Sequence, residues 1–380
     1  MVLIRFFLML FAMLPLVAGA TDAANSPDGS EACQAELLVE PATNTIFFEK
    51  NADEPLPPAS MVKLMTAYVV LKQVEDELVD LNDTVTTSAA ASKIGGSQVY
   101  LKQGEQFSVQ EMLEAILVQS ANDAAYALAE HIGGSSGGFV EMMRADAKAL
   151  EMNSSDFQTP HGLPPAKDQS PDLVSARDFA KLSTVLLHKF PQILQYTAMS
   201  EKGFRGDTFM MRNHNHLVRS YPGCDGLKTG FYSKAGFCVA VTAQKNNLRM
   251  LAILMGCKSR RERDQEAARL LSLGFSKYRP LKLIAKDAPA GQMLKIKNGV
   301  EKEVMPLALE SLSGMVPIGS EKMIERKYNL CEPPQAPVKA GTPCGSMSFY
   351  VGDRKIGEVA LFIPNDIAKL GLMGRILRIF

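Results

Sequence analysis

Apolar positions along the chain follow two rhythms. A period near 3.6 residues predicts helices over "SMVKLMTAYVVLKQVE" from Ser60, "VQEMLEAILVQS" from Val109, "NDAAYALAEHIGG" from Asn122, "GGFVEMMRADAKALEM" from Gly137, "SARDFAKLSTVLLHKF" from Ser175 and "RDQEAARLLSLGF" from Arg263. Shorter runs bounded by turn residues predict strands: "AELLVE" from Ala35, "TNTIFFEKN" from Thr43, "GFCVAVTAQ" from Gly236 and "LRMLAILMG" from Leu248. The last two flank Asn246-Asn247, a tight-turn pair. The pattern reads as α+β, an antiparallel sheet with helices packed on it.

Beyond Pro280 the texture changes. "QMLKIKNGVEKEVMPLAL", "EKMIERKYNL" and "SMSFYVGDRKIGEVALF" are strand-like, with turns at Asn298-Gly299 and Gly352-Asp353 and no helical pattern between them. This predicts a small all-β domain over 280–363, after a larger domain over 32–279. From 364 to 380 the apolar residues Leu370, Leu372, Met373, Ile376, Leu377, Ile379 and Phe380 share one helical side, with Arg375 and Arg378 opposite. Two readings are open: a helix docked on its own domain, or one lying on an anionic membrane surface. The basic polar face favours the membrane.

The first twenty residues, "MVLIRFFLMLFAMLPLVAGA", pair an early arginine with an apolar run and end on Ala18-Gly19-Ala20. This predicts a cleaved secretory signal over 1–20, with a polar linker over 21–31; an uncleaved anchor is the competing reading. Export permits disulfides. Six cysteines are present; Cys331 with Cys344 is the favoured pair, and Cys238 with Cys257 could face each other across the hairpin. The chain is 46% hydrophobic and carries 41 basic and 41 acidic residues, a balance that gives no reason to expect nucleic acid.

Candidate chemistry sits at the first predicted helix. Ser60 and Lys63 are one turn apart and point the same way. A serine hydroxyl is a weak nucleophile until a base takes its proton, and a lysine serves as that base once burial or a nearby cation lowers its pKa. Ser-x-x-Lys alone is expected about once by chance in a chain of this composition. It gains weight from two companions further along the chain. Ser120-Ala121-Asn122 stands at a helix junction, and Lys228-Thr229-Gly230 opens a strand, where a lysine and a glycine are poor strand formers. The three motifs in that order are the signature of penicillin-binding proteins and class A β-lactamases.

On these motifs, and on "PPASMVKLMTAYVVL", "HGL" (His161 to Leu163) and "DGLKTGFYSKAGFCVA", the whole chain resembles the serine D-Ala-D-Ala carboxypeptidases, low-molecular-mass penicillin-binding proteins with a β-rich second domain and a C-terminal anchor. The resemblance implies a serine-transpeptidase fold: a five-stranded antiparallel sheet with helices on both faces. It implies Ser60 as the acylated nucleophile, Lys63 as its base and Ser120 as a proton shuttle, with the first proton acceptor left open between Lys63 and Ser120. Asn122 then bonds the substrate amide, Lys228 supplies charge, Thr229 contacts the terminal carboxylate, and Gly230 clears room for the peptide. The oxyanion falls to the backbone N–H groups of Ser60 and Phe231. Arg263 matches a carboxylate-binding arginine, with Arg260 and Arg261 as rivals.

The implied substrates are peptidoglycan stem pentapeptides, with β-lactams as covalent inhibitors and no cofactor or metal. The implied location is the periplasmic face of the inner membrane, peripherally attached. Hydrolysis of cross-links by a D,D-endopeptidase and a non-catalytic wall-binding scaffold are the alternatives. A β-lactamase is disfavoured because no Glu-x-x-Leu-Asn loop lies between the second and third motifs. His214 and His216 in "NHNHL" share a strand face but lack an obvious third metal ligand. The loop "HGLPPAKDQSPDL" is longer and richer in proline than the family's usual one.

Overall fold

The structure is a computed structural model that describes residues 31–371. The expected signal over 1–20 therefore lies outside the described residues, as does most of the linker. The chain divides into two units between Leu273 and Gly274.

The first unit is built on five antiparallel strands: β1 (Ala35–Glu40), β2 (Thr45–Lys50), β3 (Cys224–Tyr232), β4 (Gly236–Lys245) and β5 (Leu248–Cys257), in the order β2-β1-β5-β4-β3. Glu40 holds the β1–β2 turn by accepting from the backbone N–H groups of Ala42 and Thr43 at 3.0 and 2.8 Å. Asn246 and Asn247 both adopt positive φ, 49° and 62°, which closes the β4–β5 hairpin with the right twist. Both faces of the sheet are buried, which is why its strands read as nearly continuous apolar runs. Leu37, Val39, Ala240, Leu251 and Ile253 join the main core with helices α1 (Lys63–Glu75), α2 (Val109–Glu114), α3 (Asn122–Gly133), α4 (Ser136–Ala149) and α5 (Ala176–Lys189). Each buried Leu or Ile contributes roughly 1.5–3 kcal/mol.

Leu38, Val239, Val241 and Leu254, on the other face, are equally buried. Helix α8 (Arg260–Lys277) is tied to the sheet through Arg269 over the Phe48 ring and through Glu266, which together with burial pushes the Glu36 carboxyl up to about 7. Two short helices, α6 (Ile193–Thr197) and α7 (Leu217–Ser220), escape the periodicity reading because each is barely one turn long. Several helix starts are capped by serine side chains. Ser108 and Glu111 form a reciprocal capping box at α2, and Ser175 accepts from Asp178 N–H at α5.

The second unit pairs β6 (Tyr278–Ile284) with β8 (Leu312–Pro317) and carries a four-stranded sheet, β7 (Leu307–Ala308), β11 (Arg354–Phe362), β10 (Pro343–Val351) and β9 (Ile324–Leu330). The all-β expectation holds, with only a three-ten turn at Glu321–Met323 among the described residues. The helix expected over 364–380 is corrected at its start. Residues 364–371 are not helical: Ile367 pairs with Val338, Lys369 with Gly299, and Ile367 is 2% exposed in the domain core. Residues 372–380 lie outside the described residues.

The cysteine expectations are also corrected. The disulfide joins Cys33 to Cys257, tying the entry to β1 to the end of β5, strands that pair in the sheet. Cys238 is free: Cys257 lies opposite Phe237, not Cys238, and is bonded to Cys33, while the Cys238 sulfur accepts from Gly256 N–H. Cys331, just past the end of β9, neighbours Cys344 on β10, and Cys331 N–H donates to the Cys344 carbonyl at 3.0 Å. Cys344, however, is buried in the domain core while Cys331 is exposed, and both thiols are free.

A maleimide reagent applied to the native, unreduced protein is accordingly expected to modify Cys331 alone, with Cys224, Cys238 and Cys344 reacting only after unfolding, as read by peptide mapping. Reducing the Cys33–Cys257 bond should lower the unfolding free energy by about 2–5 kcal/mol in a denaturant titration.

Candidate active site

Ser60 does not open the long helix as the periodicity suggests. It sits on a three-ten turn, Ala59–Val62, that runs into α1 at Lys63. Ala59 adopts φ 49°, in the left-handed region that costs an alanine roughly 1 kcal/mol. Its surroundings hold that conformation. A Cβ on Gly230 of β3 would stand 2.3 Å from the Pro58 carbonyl oxygen, and one on Gly162 would stand 2.0 Å from the Ala59 carbonyl oxygen. The Ser60 turn is thus wedged between two backbones that only glycine lets come so close. The missing side chain at Gly230 thus admits the protein's own turn.

Lys63 is fully buried, and its Nζ meets three oxygens: Asn122 Oδ1 at 2.6 Å, the His161 carbonyl at 2.7 Å and Ser60 Oγ at 3.1 Å. Burial above all, and then the Lys228 cation, hold its pKa well below that of an ordinary lysine, against the pull of Asp123 and Asp172. A neutral amine has two N–H bonds and one lone pair. The two carbonyl oxygens can only accept, so they take both hydrogens, and the lone pair is left facing the Ser60 hydroxyl. The same contacts that accommodate the buried amine aim it.

The second motif is delivered by irregular backbone. Helix α2 widens into a π-turn over Ala115–Gln119, and Ser120 comes next with φ 63° before α3 starts at Asn122. The break in the helix sets Ser120 facing the cleft and Asn122 facing Lys63. Asn122 Nδ2 donates to the Gly95 carbonyl at 2.8 Å, which fixes the amide with its oxygen toward Lys63. Both ends of the side chain are engaged within the protein, whereas the sequence resemblance assigns this amide to the substrate.

The His161 carbonyl is held by a brace that sequence reasoning missed. Asp172 accepts from the N–H groups of Gln158 and Thr159 and from the Thr159 hydroxyl, and Thr159 Oγ1 accepts from Gly162 N–H at 2.8 Å. Thr66 donates to the Pro160 carbonyl at 2.6 Å from α1 itself. Burial, with Lys63 beside it, drops the His161 imidazole to about 3, so it adds no charge near the amine. Only the tripeptide "HGL" hinted at this.

On β3, Lys228 is 2% exposed, and burial followed by the nearby Arg263 lowers it to about 7. Its Nζ donates to the Thr229 carbonyl at 3.0 Å. Ser60, Ser120, Thr229, Gly230, Phe231 and Arg263 all line one open cleft of about 430 Å³. Phe231 stacks on Phe237 with centroids 4.1 Å apart. Arg263 is 3% exposed and bonds Asp264; its rival Arg260 lines the same cleft, and Arg261 does not. His214 and His216 line it too, and among the described residues no group of three or more His, Cys, Asp or Glu is placed to hold a metal. The long loop after His161 contributes nothing to this lining.

Comparison with known proteins fits this arrangement. The family model described as D-alanyl-D-alanine carboxypeptidase matches residues 21–259, and that of the penicillin-binding protein 5 C-terminal domain matches 278–369. The chain is 33% identical to the D-alanyl-D-alanine carboxypeptidase DacC of Escherichia coli, over 97% of this chain and 92% of that one. It is 30% identical to DacF of Bacillus subtilis, over 96% and 94%. The crystal structure of penicillin-binding protein 5 from Haemophilus influenzae superposes with a TM-score of 0.79 at 26% identity, covering 89% of this chain and 98% of that one.

The lysine shifts set a pH dependence. Both folded-state pKa values lie below the 10.5 of a free lysine. Between the folded and free values the unfolded chain binds more protons, so these groups make stability rise with pH; for Lys228 the window runs from about 7 to 10.5. Acylation of Ser60 should climb as Lys63 loses its proton and fall above about 7 as Lys228 discharges. In Lys228→Ala the alkaline limb should vanish. The acid limb should move to higher pH, because a cation that depresses Lys63 is gone. Acylation rates measured across pH check both shifts.

Proposed function

Since the chain belongs to the serine D-alanyl-D-alanine carboxypeptidase family, we propose how its residues carry the family's reaction and where the protein works. The protein is a low-molecular-mass penicillin-binding protein that hydrolyses a terminal D-Ala-D-Ala bond by way of a serine. The observation that supports the residue assignment best is the buried, two-acceptor setting of Lys63 with Ser60 Oγ at 3.1 Å.

The neutral Lys63 amine takes the Ser60 proton as Oγ attacks the carbonyl of the penultimate residue. Asn122 and the His161 carbonyl act by positioning that amine. The developing oxyanion is met by the backbone N–H groups of Ser60 and Phe231. Ser120 passes the proton to the departing amine, D-alanine leaves, and water hydrolyses the ester on Ser60. Strand β3 is an edge of the five-stranded sheet, so a peptide can add to it as an antiparallel strand. Thr229 and Arg263 then take the terminal carboxylate, with Lys228 supplying positive charge behind them. A β-lactam, which presents a strained amide in the same place, acylates the same serine.

The natural substrate in this reading is the peptidoglycan stem pentapeptide outside the cytoplasmic membrane. Residues 1–20 serve as the export signal. The apolar and basic residues from 372 to 380 hold the protein on the membrane surface.

Ser60→Ala should form no adduct with a labelled penicillin and release no D-alanine from a pentapeptide; an adduct at wild-type level would place the nucleophile elsewhere. Lys228→Ala should slow acylation by on the order of a hundredfold. For the membrane, truncation after Gly371 should abolish sedimentation with anionic vesicles and leave pentapeptide hydrolysis intact. Truncation after Ile363 removes Ile367 from the β-domain core as well and should lower that domain's melting temperature.

A further inference from the structure

A second cleft, of about 420 Å³, adjoins the first and shares His214 and His216 with it. Its remaining wall includes Gln119, Arg212 and Arg219. Among the described residues neither cleft is lined by an Asp or Glu, and between them they present Arg212, Arg219, Arg260 and Arg263. Glu201 is the counter-charge at the second cleft: it sits 3.0 Å from Arg219 and 3.8 Å from Arg212. One carboxylate against two guanidiniums leaves an excess of positive charge. The Arg212 side chain is 73% exposed and Arg219 54%, so both can turn toward a ligand.

The position of this cleft along β3 gives it a meaning. The turn that carries Ser60 packs Pro58, Ala59 and Met61 against Gly230. Toward the start of the strand, Asn215 Nδ2 donates to the Gly226 carbonyl at 3.0 Å, which sets the His214–His216 segment beside that end. Helix α7, which carries Arg219, feeds into the same end. A peptide bound antiparallel to β3 runs from the Tyr232 end toward the Gly226 end. Its leaving group therefore points at the second cleft, and its acyl portion points away.

We propose that the second cleft is a leaving-group subsite for a residue whose side chain ends in a carboxylate. This rests on the assignment of Ser60 as nucleophile and of β3 as the peptide-binding edge. A terminal D-alanine has a methyl group and leaves the cleft empty. A larger terminal D-residue extends past His214 and His216, where Arg212 and Arg219 meet its anion. The chemical step is unchanged: the Ser60 Oγ–acyl bond forms, the amide C–N bond breaks, and the departing amine takes the proton that Lys63 removed.

The test compares three acetylated peptides that differ only in the residue after the scissile D-Ala: D-Ala, D-Glu or D-Lys. Wild-type protein is expected to favour D-Glu over D-Lys in kcat/KM by about twofold to fivefold, the range a pair of exposed charges supplies, and the preference should shrink as ionic strength rises. In Arg212→Glu the preference should disappear or invert, and in Arg219→Gln it should weaken. D-Ala release should stay at the wild-type rate in both, with unchanged melting temperatures. An unchanged D-Glu to D-Lys ratio in Arg212→Glu, alongside normal D-Ala release, overturns the subsite alone. Failure of the wild-type protein to release D-Ala overturns the underlying assignment and the subsite with it.

Discussion

One desolvated amine organises the catalytic unit. Water would stabilise a charged Lys63 and unfit it for the base role proposed for it; the fold buries the amine and offers it two carbonyl oxygens instead. Those oxygens come from two distant segments, the Asn122 side chain at the start of α3 and the backbone of His161. The base exists only once helix, junction and loop have assembled around it. Removing either acceptor would leave a buried N–H without a partner, a loss of about 1–3 kcal/mol, and would let the amine rotate away from Ser60.

Ser60, the proposed nucleophile, is placed by backbone crowding. Gly230 and Gly162 press on the Ser60 turn from two sides, and Ala59 takes a left-handed conformation between them. Ser120, on the opposite wall, also has positive φ, at the end of a π-turn. Strained backbone persists where neighbours over-determine it, and here it flanks the cleft on both sides. The central strands and α1 provide the rigid frame; the reacting groups project from its irregular joints.

This division explains what could be read from the chain. Four of the central strands and the long helices announce themselves by period and composition because their burial is local and repetitive; β3, with Lys228 and Gly230 in it, does not. The three motifs announce the chemistry because each needs particular side chains at fixed spacing. The disulfide partner of Cys33 was hidden, since it depends on the register between β1 and β5, two strands far apart in the chain. Cys331 and Cys344 looked like a loop-closing pair, yet burial of one and exposure of the other depends on which face of β9 and β10 the core occupies. The extended run through Ile367 carries apolar residues that suit either a helix or a core edge, and only the isolated pairing with Val338 decides. Asn122 and Gly230 stand out in the chain as functional residues, but their partners belong to the protein's interior, which spacing cannot show.

Charge obeys the same logic of local arrangement. The whole chain balances 41 basic against 41 acidic residues, so no global field draws in a substrate. The cleft presents Arg260 and Arg263, and the buried Lys228 beside it helps burial hold the Lys63 pKa down. A base whose pKa is pushed so low is ready to accept a proton but holds it weakly. A substrate carboxylate seated beside Thr229 and Lys228 offsets part of that positive field. The proton affinity of Lys63 then rises when a peptide is in place to be attacked. On the proposed mechanism, carboxylate recognition and general-base catalysis are one electrostatic device: the anion that identifies the peptide's end also strengthens the amine that activates Ser60. A neutral ligand occupying the same cleft would leave Lys63 the poorer base, which ties preference for a free C-terminus to the rate of the chemical step as well as to binding.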